Sequence, residues 1–539
     1  MKYFTYNCGC KFPVNKVGDI TKIDFDPSIE NLNFECSKTW DLISEGNTKG
    51  VFQLESRLGK TTAKKLKPEN IEQLAALISI LRPGTLEAIR DGKSVTNHYI
   101  DKKNGLESVD YFHTCLEPIL NTTYGEMVYQ EQAMEIAKVV AGFDLQEADM
   151  LRKAIGKKKP EEMAKVKKKF IKGSKKLNIV TKEEAEEIFG WIEKSQRYSF
   201  NKSHAISYAI NAYLSAYAKA HFPRVFFASY LRFAKDKIDP QQEIKELTRN
   251  AAEMNIDVCI PDFRNLNEFF ILKDKRIYFG LTDIKGVGKS VFLKILDICT
   301  DKNIKDFNWL EILFEVLLNI NSTASKALIS CGAFDYFRKN RTEMLFEYDI
   351  CSSLTKKEYQ YTREIISIDK TKNLKEILEK VKQHKKVNKN RQIIIDNLIK
   401  SINKPAYSLV DKIDWLSESE NALLGVSITC SKIDSYDISM TNCNCKTFKT
   451  TLTKDKLILA GEISNINITK TKNGKNPGQE MAFISIEDQY GLLDSVILFP
   501  EKLTEYRNHL FVNNVLVFVG TKSKNKDTLI VEKCFMPAT

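Results

Sequence analysis

RYSFNKSHAISYAINAYLSAYAKAH, residues 197–221, sets five polar side chains, Ser199, Asn201, Lys202, Ser203 and His204, at the head of a long, largely apolar helix. A helix start presents unpaired backbone N–H groups and a partial positive charge, and the side chains of Asn201, Lys202, Ser203 and His204 add donors at the same place. A phosphate is the expected guest. For a Ser-x-His taken alone, the plainer alternative is a capped helix behind a solvated loop.

Outward from this stretch, residues from Val51 to about Phe233 carry helical spacing, with apolar positions three and four apart in IEQLAALISIL (71–81), MEIAKVVAGF (134–143) and EEAEEIFGWIEK (183–194). They read as one helical domain. Three loops in it concentrate polar residues: Gly50 to Ser56, Leu81-Arg82-Pro83-Gly84, and Tyr124-Gly125 followed by Val128 to Gln132. The most basic run is LRKAIGKKKPEEMAKVKKKFIKGSKKL, 151–177. A charge run is usually a solvated helix face. Here, however, Arg152 and Lys153 stand between apolar pairs, and Gly156 and Pro160 bracket Lys157, Lys158 and Lys159. Polyphosphate or nucleic-acid backbone is the natural partner of such a surface.

Beyond about Asp236 the texture is mixed. IDVCIPDF and RIYFGL read as strands, and Gly286-Val287-Gly288 forms a tight turn. A P-loop would need a glycine five residues before Gly288, where Asp283 stands. The NTPase reading of the GKS at 288–290 therefore weakens. A helix-hairpin-helix needs an apolar-Gly-apolar-Gly hairpin whose amides grip a DNA phosphate, and Ile284-Lys285-Gly286-Val287-Gly288-Lys289 fits. Ala327 to Asp335 would supply the second member of a tandem pair. A Lys-, Ile- and Asn-rich stretch, 356–404, reads as a helical insert or linker. From Lys456, five short alternating strands predict a small barrel of OB type that binds single strands.

The 539 residues imply several domains, and 82 Lys+Arg against 70 Asp+Glu give a net charge of +12, unevenly spread. With no apolar run at the start and none of membrane-spanning length, a cytoplasmic protein is expected rather than a secreted or membrane one. Of the 12 cysteines, most are isolated, but Cys8/Cys10 and Cys443/Cys445 form C-x-C pairs. A structural zinc would need both pairs, or one pair and Cys36, to converge. The usual C-x2-C spacing is missing, so loop cysteines are the expectation.

The blocks GVFQLES, LRPG, TYGEMVYQEQAMEIA, ADMLRKAIGKKKPEEM, YSFNKSHAISYA, IKGVGKS and LISCGAFD, in this order, resemble the C-terminal half of the bacterial DNA polymerase III alpha subunits, the C-family polymerases. The resemblance implies an α+β multidomain chain: a possible palm remnant (1–50), mainly helical fingers (51–235), tandem helix-hairpin-helix (236–345), a Lys-rich insert (346–454) and an OB-fold β-barrel (455–539). It also implies that Arg152 and Lys153, with the loop Asn201, Lys202, Ser203 and His204, hold the incoming dNTP. Lys157, Lys158, Lys159, Lys285, Gly286, Gly288 and Lys289 are the expected DNA contacts.

Two-metal phosphoryl transfer needs carboxylates that hold Mg2+. The family supplies them from a palm whose main body has no counterpart in these residues. Only KIDF, 22–25, resembles a palm block; it makes Lys22 a nucleotide contact and Asp24 a metal-binding, catalytic carboxylate, a surface turn being the alternative. The expectation is therefore a split, phage-like polymerase in which a palm-bearing subunit on another chain completes the enzyme on primer-template DNA. A non-catalytic DNA-binding accessory protein is the other reading. No Gln-x-x-Leu-Phe clamp motif follows the helix-hairpin-helix, which leaves a sliding clamp open as a partner.

Overall fold

The computed structural model describes residues 2–538 apart from 18–19, 24, 158–159, 196–198, 301, 369–372, 452–454, 472–476 and 524–527. The chain divides into two compact units, Met1–Phe226 and Phe227–Thr539. The expected α+β multidomain class holds: helices dominate, and the C-terminal strands close a barrel.

The first unit opens with an antiparallel sheet of Lys2–Thr5, Lys11–Val17 and Ile20–Ile23. Helices follow, and their ends are written in the sequence. The side chain of Ser56 caps the start of Arg57–Leu66 by accepting from the Gly59 N–H, and Asn70 does the same for Ile71–Ile80 through the Gln73 N–H. Gln130–Ala141 stops at Gly142, whose φ of +67° few other residues adopt. Ile71–Ile80 is apolar nearly all round and buried over most of its surface, as such a helix must be. It packs along Lys202–His221, which buries Ala205, Ala209, Ala212, Ala216 and Ala220, side chains small enough to let two helices lie close. A second core, with Ile136, Val140, Phe143, Leu151, Phe170 and Phe189, joins Gln130–Ala141, Leu145–Lys157, Pro160–Leu177 and Lys182–Ser195.

The loop expectation for the cysteines holds in position but not in exposure. Cys8 and Cys10 lie on a turn between the first two strands and Cys443 lies in a loop, yet Cys10, Cys36 and Cys445 are buried, with Cys8 and Cys443 half-buried. Cys445 belongs to the barrel interior, with Cys443 packed against it.

In the second unit, IDVCIPDF and RIYFGL contribute Val258–Cys259 and Arg276–Tyr278, which pair with each other in parallel. The Lys-rich stretch is helical, in Lys356–Ile368, Leu374–Gln383 and Lys389–Asn403, and it has an interior of its own: Ile377, Leu378, Val381 and Ile395 are buried, while Arg391 forks onto Glu358 at 2.7–2.8 Å. The last strands close a barrel in the order Glu480–Asp488, Gly491–Leu498, Leu529–Phe535, Val515–Lys522, Leu457–Lys470. Neighbours are antiparallel except Gly491–Leu498 with Leu529–Phe535, and Pro500–Tyr506 is a helix between the third and fourth strands in sequence. This is the OB arrangement. Among the described residues, no helix is long and apolar enough to cross a membrane.

One buried charge cluster sets the loop before Gln130–Ala141. Glu126, 1% exposed, takes Arg90 at 2.5 Å and Lys102 at 3.0 Å. Lys102 is itself buried, so removing the carboxylate strands an ammonium away from water. Glu126→Ala should lower the stability of the first unit by about 3–5 kcal/mol, read by urea unfolding; a loss within about 0.5 kcal/mol would show the cluster to be dispensable.

Candidate nucleotide and nucleic-acid sites

Three of the polar loops meet at the start of Lys202–His221. Phe200 bridges the chain at Tyr129: its N–H donates to the Val128 carbonyl at 3.0 Å, and its own carbonyl accepts from Gln130 N–H at 2.9 Å. The Arg82 guanidinium lies over the Phe200 ring at 3.8 Å, and the His204 ring meets the Phe200 and Tyr208 rings at 5.5 and 4.2 Å. Phe52 stacks on the other side, at 5.2 Å from Tyr208. Gln53, Ser56, Leu58, Ile78, Leu81, Arg82 and Tyr208 line a pocket of about 230 Å3 there. GVFQLES, LRPG and the Ser-x-His loop thus share one surface.

The helix start already holds a carboxylate. Glu131 accepts from Asn201 Nδ2 at 2.8 Å and from the Lys202 backbone N–H at 2.9 Å, while Asn201 Oδ1 caps the His204 N–H at 2.9 Å. Of the donors expected to face a phosphate, two are engaged by Glu131; the side chains of Ser203 and His204 are exposed. Lys202 Nζ sits 5.8 Å above the Tyr129 ring.

Arg152 and Lys153 lie on Leu145–Lys157, and both reach Asp149 on the same helix, at 2.8 and 2.6 Å. Hydrogen bonds from Lys153 and Arg152 hold the Asp149 carboxyl below its usual range. The pair is therefore a preassembled cationic edge with an internal counter-ion. Lys158, Lys159 and Asp24 lie outside the described residues; Lys157 ends its helix, and Lys22 pairs with Asn15 in the sheet through its backbone.

The glycine hairpin in the second unit has the geometry of a phosphate grip. Ile284 and Val287 are buried and anchor it, while Lys285, Gly286, Gly288, Lys289 and Ser290 face outward. The Val287 N–H donates to the Ile284 carbonyl at 3.0 Å across Gly286, whose φ is +98°. Gly288 is the residue before Lys289–Cys299, with no side-chain cap on the helix, and a Cβ there would meet nothing within 4 Å. Exposed amides at an uncapped helix start are what an incoming phosphate binds. Burial pushes the nearby Asp283 carboxyl up to about 7, so repulsion of a phosphate weakens as pH falls through neutrality.

The second hairpin differs. Gly332 is buried with φ of +86°, and a Cβ on it would lie 2.3 Å from Arg341 Nη2. Arg341 pairs with Asp335 at 2.7 Å and Glu420 at 2.9 Å. That turn is sealed by protein.

Residues 14–178 match the bacterial DNA polymerase III alpha subunit finger domain, and residues 255–344 match a helix-hairpin-helix motif. The DNA polymerase III alpha subunit of Aquifex aeolicus is 32% identical over 530 residues, 95% of this chain and 40% of that protein. Those of Borreliella burgdorferi (31% over 524 residues, 95% and 42%) and Thermus aquaticus (39% over 325 residues, 59% and 25%) are similar too. Along nearly its whole length this chain is similar to part of the DNA polymerase III alpha subunits. It spans about two fifths of the length of the relatives that it matches along nearly its whole length.

Sequence reasoning found the loops but gave no role to Arg82 and Glu131 within them. Both lie in blocks that carry the resemblance, yet nothing local in LRPG or VYQEQ says that the side chains reach a helix start some 70 residues or more away. The hairpin yields a clean test. Gly288→Val adds a side chain into open space at an ordinary φ of −82°, so stability should fall by no more than the loss of a favourable N-cap residue, about 1 kcal/mol, while duplex-DNA affinity drops several-fold. Unaltered affinity in a fluorescence-anisotropy titration would remove this turn from the DNA interface.

Proposed function

We propose that this chain supplies the fingers and DNA-binding modules of a replicative C-family DNA polymerase, which adds dNTPs to a primer in the cytoplasm of a bacterium or phage-infected host. The observation that carries the reading is its similarity along 95% of its length to alpha subunits, together with an outward-facing glycine hairpin and an aromatic and cationic surface at the helix start. The fingers are assigned to 51–235, the duplex-binding region to 236–345 and a single-strand-binding barrel to 455–539. Arg152 and Lys153 take the triphosphate in exchange for Asp149. Ser203 and His204 face the nucleotide from the helix start, and Arg82 braces them through Phe200.

Among the described residues no cluster of three or more carboxylates offers a ready Mg2+ site. The only cluster of three or more metal-type donors among them is made of cysteines and a histidine, with no carboxylate. No metal step is assigned to these side chains, and the catalytic carboxylates are proposed to come from a palm-bearing partner chain, with Asp24 as the one candidate here. A second reading, a DNA-binding accessory protein without catalysis, draws support from Glu131 and Asp149, which already hold donors meant for a nucleotide.

Primer extension separates the two. The chain alone should extend nothing, and a mixture with a palm-bearing chain should extend a primer with Mg2+ and dNTPs. Robust synthesis by the chain alone would overturn the division of labour, and duplex binding with no extension in any mixture would favour the accessory reading. In the active mixture, Arg152→Ala with Lys153→Ala should raise the KM for dNTP by about tenfold or more and leave DNA affinity nearly intact; an unchanged KM would remove both from the nucleotide site.

A further inference from the structure

Four metal-type side chains from three distant parts of the first unit converge. Cys8 and Cys10 flank Gly9 on a turn closed by hydrogen bonds from the Tyr6 N–H to the Cys10 carbonyl at 2.9 Å and from the Gly9 N–H to the Tyr6 carbonyl at 2.8 Å. Cys36 immediately precedes the helix Ser37–Ser44, and His221 is the last residue of Lys202–His221. Their ligand atoms all lie within 4.8 Å of one another. His221 Nε2 is 3.3 Å from Cys36 Sγ and 4.0 Å from Cys8 Sγ.

We propose that Cys8, Cys10, Cys36 and His221 hold a structural zinc ion. A tetrahedral ion with Zn–S of about 2.3 Å and Zn–N of about 2.0 Å separates its ligand atoms by roughly 3.5–3.8 Å, and the measured Nε2–Sγ distances bracket that range. The donor set is of the Cys3His kind, in which thiolate and imidazole favour zinc over hard cations. Cys10, Cys36 and His221 are buried, so no position is open to substrate and the site is structural.

The surroundings suit the ion. Asn33 Nδ2 donates to Cys10 Sγ at 3.6 Å, the kind of contact that steadies a thiolate. Tyr6, Phe12, Tyr217 and Phe222 pack around the His221 ring and keep water away, and the Tyr6 hydroxyl donates to the His221 carbonyl at 3.0 Å. Three thiolates on Zn2+ leave one net negative charge, and Lys38, 5.0 Å from the Tyr6 ring centre, offsets it. All twelve cysteines of the chain are free, and the buried ones elsewhere, such as Cys299, Cys331 and Cys351, are core side chains outside any such cluster. Packing alone gives no reason for three sulfurs and an imidazole nitrogen to share one centre.

The clamp would tie the N-terminal sheet to the end of Lys202–His221, joining residues 185 and 213 positions apart. It does not depend on the polymerase reading.

The test uses the full chain. After purification, incubation with Zn2+ and desalting, plasma mass spectrometry should find about one zinc per chain. Cys10→Ser and Cys36→Ser should lose it, and Cys443→Ser should keep it. Should a variant fail to fold, Co2+ in the unmutated chain gives an independent reading: strong sulfur-to-cobalt charge-transfer bands and tetrahedral d–d bands are expected. A zinc content under about a tenth per chain, full zinc retained by both Cys10→Ser and Cys36→Ser, or a cobalt spectrum without thiolate bands would each overturn the proposal.

Discussion

A buried ammonium governs the first unit. Lys219 has no solvent exposure, and its Nζ donates to the Asn47 and Lys49 carbonyls at 3.0 and 2.8 Å and to Asn47 Oδ1 at 3.2 Å. Desolvating a charge costs several kcal/mol unless dipoles replace its water shell, so these contacts must be kept. They pin the C-terminal turn of Lys202–His221 to the chain just before GVFQLES. The same helix is held at its other end by Glu131 and Asn201. A helix fixed at both ends is a rigid strut, and the Phe52, Arg82 and Tyr208 surface is built on it.

Two helix starts in this chain meet the same demand, unsatisfied N–H groups, in opposite ways. At Lys202, a side-chain cap and an internal carboxylate answer it, so the positive end of the helix is largely spent within the protein. At Lys289, glycine precedes the helix with no cap, and the amides face outward. By the electrostatics of helix ends, the second is the stronger site for a backbone phosphate. At the first, the exposed Ser203 and His204 side chains and the neighbouring aromatic rings suit a contact made by shape and stacking as much as by charge.

Much of this was legible in the sequence because it is local. Helix periodicity, the strands of the barrel and the Gly286-x-Gly288 turn all depend on residues within a few positions of one another. What stayed hidden is long-range. Glu131 and Arg82 meet the Ser199–His204 loop only after the helices pack, and His221 joins Cys36 from 185 positions away. The missing C-x2-C spacing at Cys8 and Cys10 argued against a metal site even with Cys36 in view, because the fourth donor, His221, stands 185 positions beyond Cys36 at the end of Lys202–His221. The same limit applies to Arg152 and Lys153: sequence shows two cations in an apolar setting, but not that Asp149, one turn earlier, neutralises part of their charge.

The two hairpins show how far a glycine pattern can be trusted. Both Gly286 and Gly332 adopt a positive φ, so backbone conformation explains a glycine at each. Only the first leaves amides facing solvent. At the second, the Arg341 guanidinium lies against Gly332, is bonded to Asp335 and Glu420 and donates to the Ser330 carbonyl at 3.1 Å. Opening that turn to a phosphate would strip a buried arginine of two carboxylate partners, a loss that a single phosphate contact does not repay. The two turns are therefore asymmetric: one presents its backbone to solvent at an uncapped helix start, and its counterpart is closed by side chains of its own domain.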